Sequence, residues 1–162
     1  MRAARIDACS LANNHTLDFE EQGLLDTMNH LDAAGIRHTG AGRNQLEAAD
    51  PAILTVPTEH THRVALLAFT DNEPPFAAGT DRPGTNYLPV SLRPDDLRWV
   101  EKAVSAVRGK EIDTVVFSNH WGPNMVQRPA AARAAWGRKG TPRRPGWRGK
   151  GHALAGPSFR RS

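Results

Sequence analysis

Apolar residues recur along this chain with two periods, and the alternation between them sets the expected order of elements. Ile6 to Leu11 is a short, mainly apolar run that predicts a buried strand, with Asn13 to Asp18 as the loop after it. From Asp18, which the pattern makes an N-cap, Leu24, Leu25, Met28, Leu31 and then Ile36 return at helical spacing. Glu20 and Glu21 fall in the first turn, where the helix dipole favours acids, and Gly35 is the expected stop. His38 to Asn44 reads as a turn-rich connector, followed by a short helical patch from Gln45 to Ala49 that Pro51 closes.

Ile53 to Val56 and Arg63 to Phe69 predict two strands joined by a polar loop, the second apolar enough to be covered on both faces. A long proline-rich loop runs from Thr70 to Leu92; structureless loops of that length are uncommon in compact domains and are often functional. Pro94 opens a second amphipathic helix with Leu97, Val100, Val104 and Val107 on one face, and Thr114 to Phe117 forms another buried strand. Helices alternating with apolar strands predict an α/β domain.

Charge divides the chain where the periodicity ends. Residues 1–129 hold 12 Lys and Arg against 17 Asp and Glu, a net charge of −5, whereas residues 130–162 hold 9 Lys and Arg, no acid and a net charge of +9. The basic excess therefore belongs to the tail, and it says nothing about partners of the acidic body. Residues 130–162 lack any sustained apolar period, so they are expected to be a disordered basic tail rather than a packed unit. An abrupt change to Arg, Gly, Pro, Ala and Trp without acids is also what a shifted reading frame in a high-GC gene produces. The single cysteine, Cys9, excludes an intrachain disulfide and reads as a buried, inert thiol. No window approaches the apolar length of a membrane span, and the first residues lack the apolar stretch of an export signal.

Two polar clusters follow apolar runs, and both carry histidine. In Ser10-Leu11-Ala12-Asn13-Asn14-His15, the Asn14 amide oxygen can ligate a metal and the His15 ring can move a proton. Asn-Asn in a loop equally serves turn geometry, and a histidine at a strand-to-helix corner equally caps or packs. In Ser118-Asn119-His120-Trp121-Gly122, His120 can ligate a metal or simply bond a backbone carbonyl. Sites in open α/β sheets assemble at strand ends, so the conjunction is more specific than either cluster alone. His30, His38, His60 and His62 are expected on solvated surface. Gly40 and Gly42 lack the Lys-Ser/Thr of a phosphate loop, and Asn86 and Tyr87 are available for substrate contact or for ordinary turn chemistry.

In their order, these residues resemble the bacterial CapA-type proteins of capsule and poly-γ-glutamate biosynthesis. The resemblance is carried by Ser10 to His15 with Thr16 to Phe19, Gly23 to Thr27, Ala33 to Ile36, Gly40 to Asn44, Gly84 to Pro89 and His120 to Met125, and it covers about residues 3–129. It implies the calcineurin-like metallophosphoesterase superfamily. The fold expected is an incomplete metallophosphoesterase-like sheet sandwich flanked by helices over residues 1–129. By that resemblance Asn14 and His120 take the places of metal ligands and His15 that of the catalytic histidine. The cofactors implied are divalent ions, Mn, Fe or Zn, and the substrate implied is a phosphoester or an anionic polymer, with no specific nucleic acid. In such sites two ions about 3.5–4 Å apart activate water and neutralise phosphoryl charge while a histidine protonates the leaving oxygen.

The resemblance also implies elements that the chain does not show: a strand ending in Gly-Asp and an Asn-Leu-Glu element before Asn13, and a Gly-His-Ser-x-His after His120-Trp121-Gly122. Gly151-His152 is followed instead by Ala153-Leu154-Ala155. The expectation is therefore an internal fragment of a CapA-type product, shifted in frame near residue 130 and inactive alone. The competing class is a non-enzymatic binding or scaffold domain for polymer export or assembly, and a third class is nucleic-acid binding through the basic tail.

Overall fold

The computed structural model describes residues 1–57, 59–89, 94–108 and 111–122. The expected tail at 130–162 lies outside the described residues. The elements alternate as the two periods require: β1 (Ala8–Ser10), α1 (Glu20–Ala33), β2 (Arg37–Thr39), β3 (Ala41–Gly42), α2 (Gln45–Ala49), β4 (Ala52–Val56), β5 (His62–Thr70), β6 (Gly84–Thr85), α3 (Pro94–Arg108) and β7 (Thr114–His120). They form a mixed α/β arrangement of small sheets flanked by helices, an incomplete sheet sandwich.

Two crossovers build it. Strand β1 leads through α1 to β2, which pairs with it in parallel, and β5 leads through α3 to β7, which also pairs in parallel. Strand β4 is antiparallel to β5 at its other edge, and β3 with β6 makes a two-residue antiparallel ladder. Both crossovers therefore deliver the C-terminal ends of β1, β5 and β7 on polar loops or polar last residues.

The cores follow the predicted faces. Leu24 and Met28 of α1 pack with Ala41 and are flanked by Leu11 and Leu17. On β5, Ala65 and Leu67 meet Val107 of α3, and Phe69 meets Val100 and Val104. Phe69 makes edge-to-face contacts with Trp99 and Phe117, at centroid distances of 5.5 and 6.4 Å. Its even-numbered neighbours Ala68 and Thr70 are buried as well, so the second half of β5 is covered on both faces as its composition predicts.

Several local expectations are corrected. Helix α1 is capped by Phe19 without a side-chain bond, because the Asp18 carboxylate bonds His15 instead. The connector after α1 is not all turn: it holds β2 and β3, since Arg37 to Thr39 finds a parallel partner in Ala8 to Ser10. Strand β7 runs on to His120, three residues beyond the apolar run, because its ladder with β5 continues to Thr70. The proline-rich loop is braced by β6 and by a short 3-10 turn at Pro74–Phe76. His38 is not solvated, its side chain being 11% exposed. Cys9 is only half-buried.

Backbone hydrogen bonds stitch the two crossovers together. Leu11 N–H donates to Thr39 O, Asn86 N–H to Gly40 O, and Thr70 N–H to Asn86 O, while Leu88 N–H returns to Thr70 O. Gly40 sits where these lines meet, with φ at +90°, and a Cβ there would lie 2.6 Å from that of Ala12 and 2.8 Å from that of Ala68. Only glycine lets β1's loop and β5 approach so closely.

Candidate functional site

The polar corner is assembled by the loop after β1 and the last residue of β7. The loop turns back on itself because the Asn13 side-chain oxygen accepts from His15 N–H at 2.9 Å, and the Thr16 hydroxyl donates to Leu11 O. Asn13 therefore spends its side chain on the turn, which leaves Asn14 and His15 facing outward from a fixed bend.

His120 is held at the end of β7 by its neighbours on β5. Asp71 N–H donates to His120 O at 3.3 Å, and the Asp71 carboxylate accepts from Gly122 N–H at 2.9 Å, which fixes the turn that follows the strand. From there His120 Nε2 donates to the Asn14 amide oxygen at 3.0 Å. The Asn14 amide nitrogen in turn lies 3.3 Å from His15 Nε2, and His15 Nδ1 lies 2.9 Å from an Asp18 carboxylate oxygen.

These contacts define one direction of donation. With the amide oxygen committed to His120, the amide N–H₂ points to His15 Nε2, which must accept; His15 Nδ1 then carries the proton given to Asp18. Thus Asp18 selects the tautomer in which Nε2 is the atom free to take and release a proton. The His15 side chain is 73% exposed, so this pair orients the ring and adds little to stability.

All three sequence-predicted site residues, Asn14, His15 and His120, meet at this corner. Two residues that matter there were not picked out by pattern. Asp18 resembled an N-cap, although its position three residues after a histidine at a loop corner was a usable signal, whereas nothing in the local sequence distinguished Asp71. Asn86 is buried, its amide donates to Ala68 O at 2.8 Å, and with Tyr87 and Trp99 it lines a separate cavity of about 330 Å³. Tyr87 lies beside it, in a bridge with Thr70.

The donor set is compatible with part of a metal shell. Two ligands that each sit about 2.1 Å from one ion are about 3.0 Å apart in an octahedral shell and about 3.4 Å apart in a tetrahedral one, so the 3.0 Å between the Asn14 oxygen and His120 Nε2 matches an octahedral edge once Nε2 has given up its proton. Both donors are neutral, and among the described residues no group of three His, Cys, Asp or Glu side chains converges to complete a shell. The pair fits one edge of a coordination sphere and no more.

Comparison with known proteins agrees with the succession of motifs. The profile of the family described as bacterial capsule synthesis protein PGA_cap matches residues 1–141, running past residue 129 into the basic segment. A Mycobacterium tuberculosis protein named "Probable polyglutamine synthesis accessory protein" is 38% identical over 126 residues, covering 76% of this chain and 33% of that protein. The "Capsule biosynthesis protein CapA" of Bacillus anthracis is 31% identical over 140 residues, 83% of this chain and 31% of its own length. The "PGA biosynthesis protein CapA" of Bacillus subtilis is 30% identical over 127 residues, 74% and 31% respectively. The chain spans about a third of the length of these curated relatives. It belongs to the bacterial capsule synthesis family.

Proposed function

We propose that this member of the capsule and poly-γ-glutamate biosynthesis family carries one side of a metal-dependent phosphoester hydrolase site, and that the chain alone is inactive. The observation that supports this reading is the 3.0 Å contact between Asn14 and His120, an amide oxygen and an imidazole nitrogen from opposite ends of the fold. Asn14 and His120 would hold a divalent ion, Mn, Fe or Zn. Such an ion supplies charge neutralisation at the phosphoryl oxygens and acidifies a water.

His15 does the proton work. Nδ1 keeps its proton toward Asp18, so the bare Nε2 takes a proton from the attacking water and passes it to the ester oxygen as the bond from phosphorus to that oxygen breaks. The attacking water forms the new bond to phosphorus, its proton leaves on the ester oxygen, and the ring ends in the tautomer in which it began. The proposal of inactivity for the chain alone rests on the donors among the described residues, where the two neutral ligands bring no carboxylate to bind or bridge two cations. The substrate proposed is a phosphoester or anionic polymer, with no specific nucleic acid.

Zn²⁺ or Mn²⁺ titration followed by NMR of the imidazole nitrogens, with turnover of bis(p-nitrophenyl) phosphate measured in parallel, tests the reading. Weak binding that perturbs His120 and disappears in Asn14→Ala, without turnover, is the expected result. A His120 ring indifferent to every ion would overturn the metal assignment and favour the non-enzymatic scaffold. Sustained turnover lost in His15→Ala would overturn the claim of inactivity.

A further inference from the structure

We propose that the cleft on the helix side of His15 is a subsite for an uncharged, apolar group carried by a phosphoester, a proposal that rests on the reading of His15 as the proton-transfer group. The cleft encloses about 310 Å³, at the small end of the range of roughly 300–1,000 Å³ over which ligand pockets run. Leu11 and Leu24 line it, Phe19, Thr16 and Thr27 complete its walls, and His15 stands at its edge. The reacting corner and the cleft therefore share one side chain.

The hydroxyl protons and the Asn13 oxygen that line the cleft are already used. The Thr16 hydroxyl donates to Leu11 O, the Thr27 hydroxyl donates to Gly23 O at 2.8 Å, and Asn13 accepts from the His15 backbone. Among the described residues no Lys or Arg lines the cleft to receive an anion, and the charged side chains adjacent to it in sequence, Asp18, Glu20 and Glu21, are acidic. A phosphate entering the cleft would meet repulsion and lose hydration without a replacement partner, whereas an alkyl or aryl group would gain apolar contact.

Phe19 supplies a second observation. It is 86% exposed at the rim of the cleft, a large apolar surface left in water. It is kept there by the chain around it: Glu20 adopts a positive φ of 60° at the start of α1, and a Cβ on Gly23 would lie 2.6 Å from that of Phe19. A residue with a side chain at position 23 would push the ring off the cleft. The arrangement sorts a substrate into two parts, the phosphoryl group toward Asn14 and His120 and the apolar group between Phe19 and Leu24.

Binding of three probes to the full chain, n-hexanol, n-hexyl phosphate and inorganic phosphate, followed by amide chemical shifts, tests this without depending on turnover. The expected result is that both hexyl compounds move Phe19, Leu24 and Thr27 while inorganic phosphate does not. Thr27→Trp, which fills the cleft from an exposed helix position, should weaken the hexyl compounds by about tenfold. Phe19→Ala gives an independent check at an exposed site. The proposal is overturned if the hexyl compounds leave these amides unmoved, if inorganic phosphate moves them equally, or if a folded Thr27→Trp or Phe19→Ala chain binds hexanol as tightly as the parent. Failure of the hydrolase reading would show separately, as a His120 ring that no metal ion perturbs.

Discussion

The amide oxygen of Asn14 accepts a hydrogen bond from His120 Nε2 at 3.0 Å, across 106 positions of sequence. No direct strand pairing joins β1 to β7; the contact depends on a relay of backbone bonds from Leu11 to Thr39, from Gly40 to Asn86, and from Asn86 to Thr70, whose register partner is His120. Each step is a ladder or turn bond, so the corner inherits its rigidity from two crossovers rather than from its own exposed side chains.

Replacing Asn14 with alanine separates function from stability. The side chain stands on a partly exposed loop, so the change in unfolding free energy should stay within about 0.5 kcal/mol by urea titration. Zn²⁺ perturbation of the His120 ring should weaken by about tenfold or more, since half of the donor pair is gone. Asn14→Asp should do the opposite, because a carboxylate adds ligand charge. Equal metal response in all three chains would show that the pair holds no ion.

Asp18→Ala should alter the tautomer of His15. Without the acceptor 2.9 Å from Nδ1, the proton is free to move to Nε2, and the two ring nitrogens should exchange character in a long-range nitrogen–proton spectrum. Stability should barely change, since both partners are substantially exposed. An unchanged spectrum would mean that the turn alone sets the ring.

Gly40→Ala tests the junction. The added Cβ would lie 2.6 Å from the Ala12 Cβ and 2.9 Å from Ala12 N, at a φ of +90° that alanine resists. A loss of about 2–4 kcal/mol is expected, combining backbone strain with overpacking. Because Ala12 precedes Asn14 by two positions, the amide shifts of Asn14 and His15 should move even in chains that remain folded. A loss below 1 kcal/mol would show that the two crossovers can separate at little cost.

Much of this was legible in the chain, and the exceptions share a cause. The stripe Leu24, Met28 and Leu31 and the run from Arg63 to Phe69 announced α1 and β5 because burial there is set by local period. The polar corner was legible as residue types, since Asn14, His15 and His120 each follow an apolar run. Strands β2 and β3 were not, because they owe their existence to partners far along the chain, Ala8 to Ser10 and Gly84 to Thr85. Likewise, nothing near Asp71 announces that its carboxylate fixes Gly122. His38 belongs with these cases, since the residue that reaches its Nε2 is Asp32 on α1 rather than water.

Asn86 distinguishes the two ways of reading the proline-rich loop. Were its amide a substrate contact, Asn86→Ala would weaken binding and leave stability alone. Instead the side chain is buried and donates to Ala68 O at 2.8 Å, while its backbone links Gly40 to Thr70. Removing the amide deletes one buried hydrogen bond and opens a small void next to β5, for an expected loss of about 1–3 kcal/mol in urea unfolding. Hexyl phosphate affinity should fall only as far as the folded population falls, because the cleft beside His15 does not include Asn86. A fully folded Asn86→Ala chain with sharply weakened ligand binding would return the loop to the role that its composition first suggested.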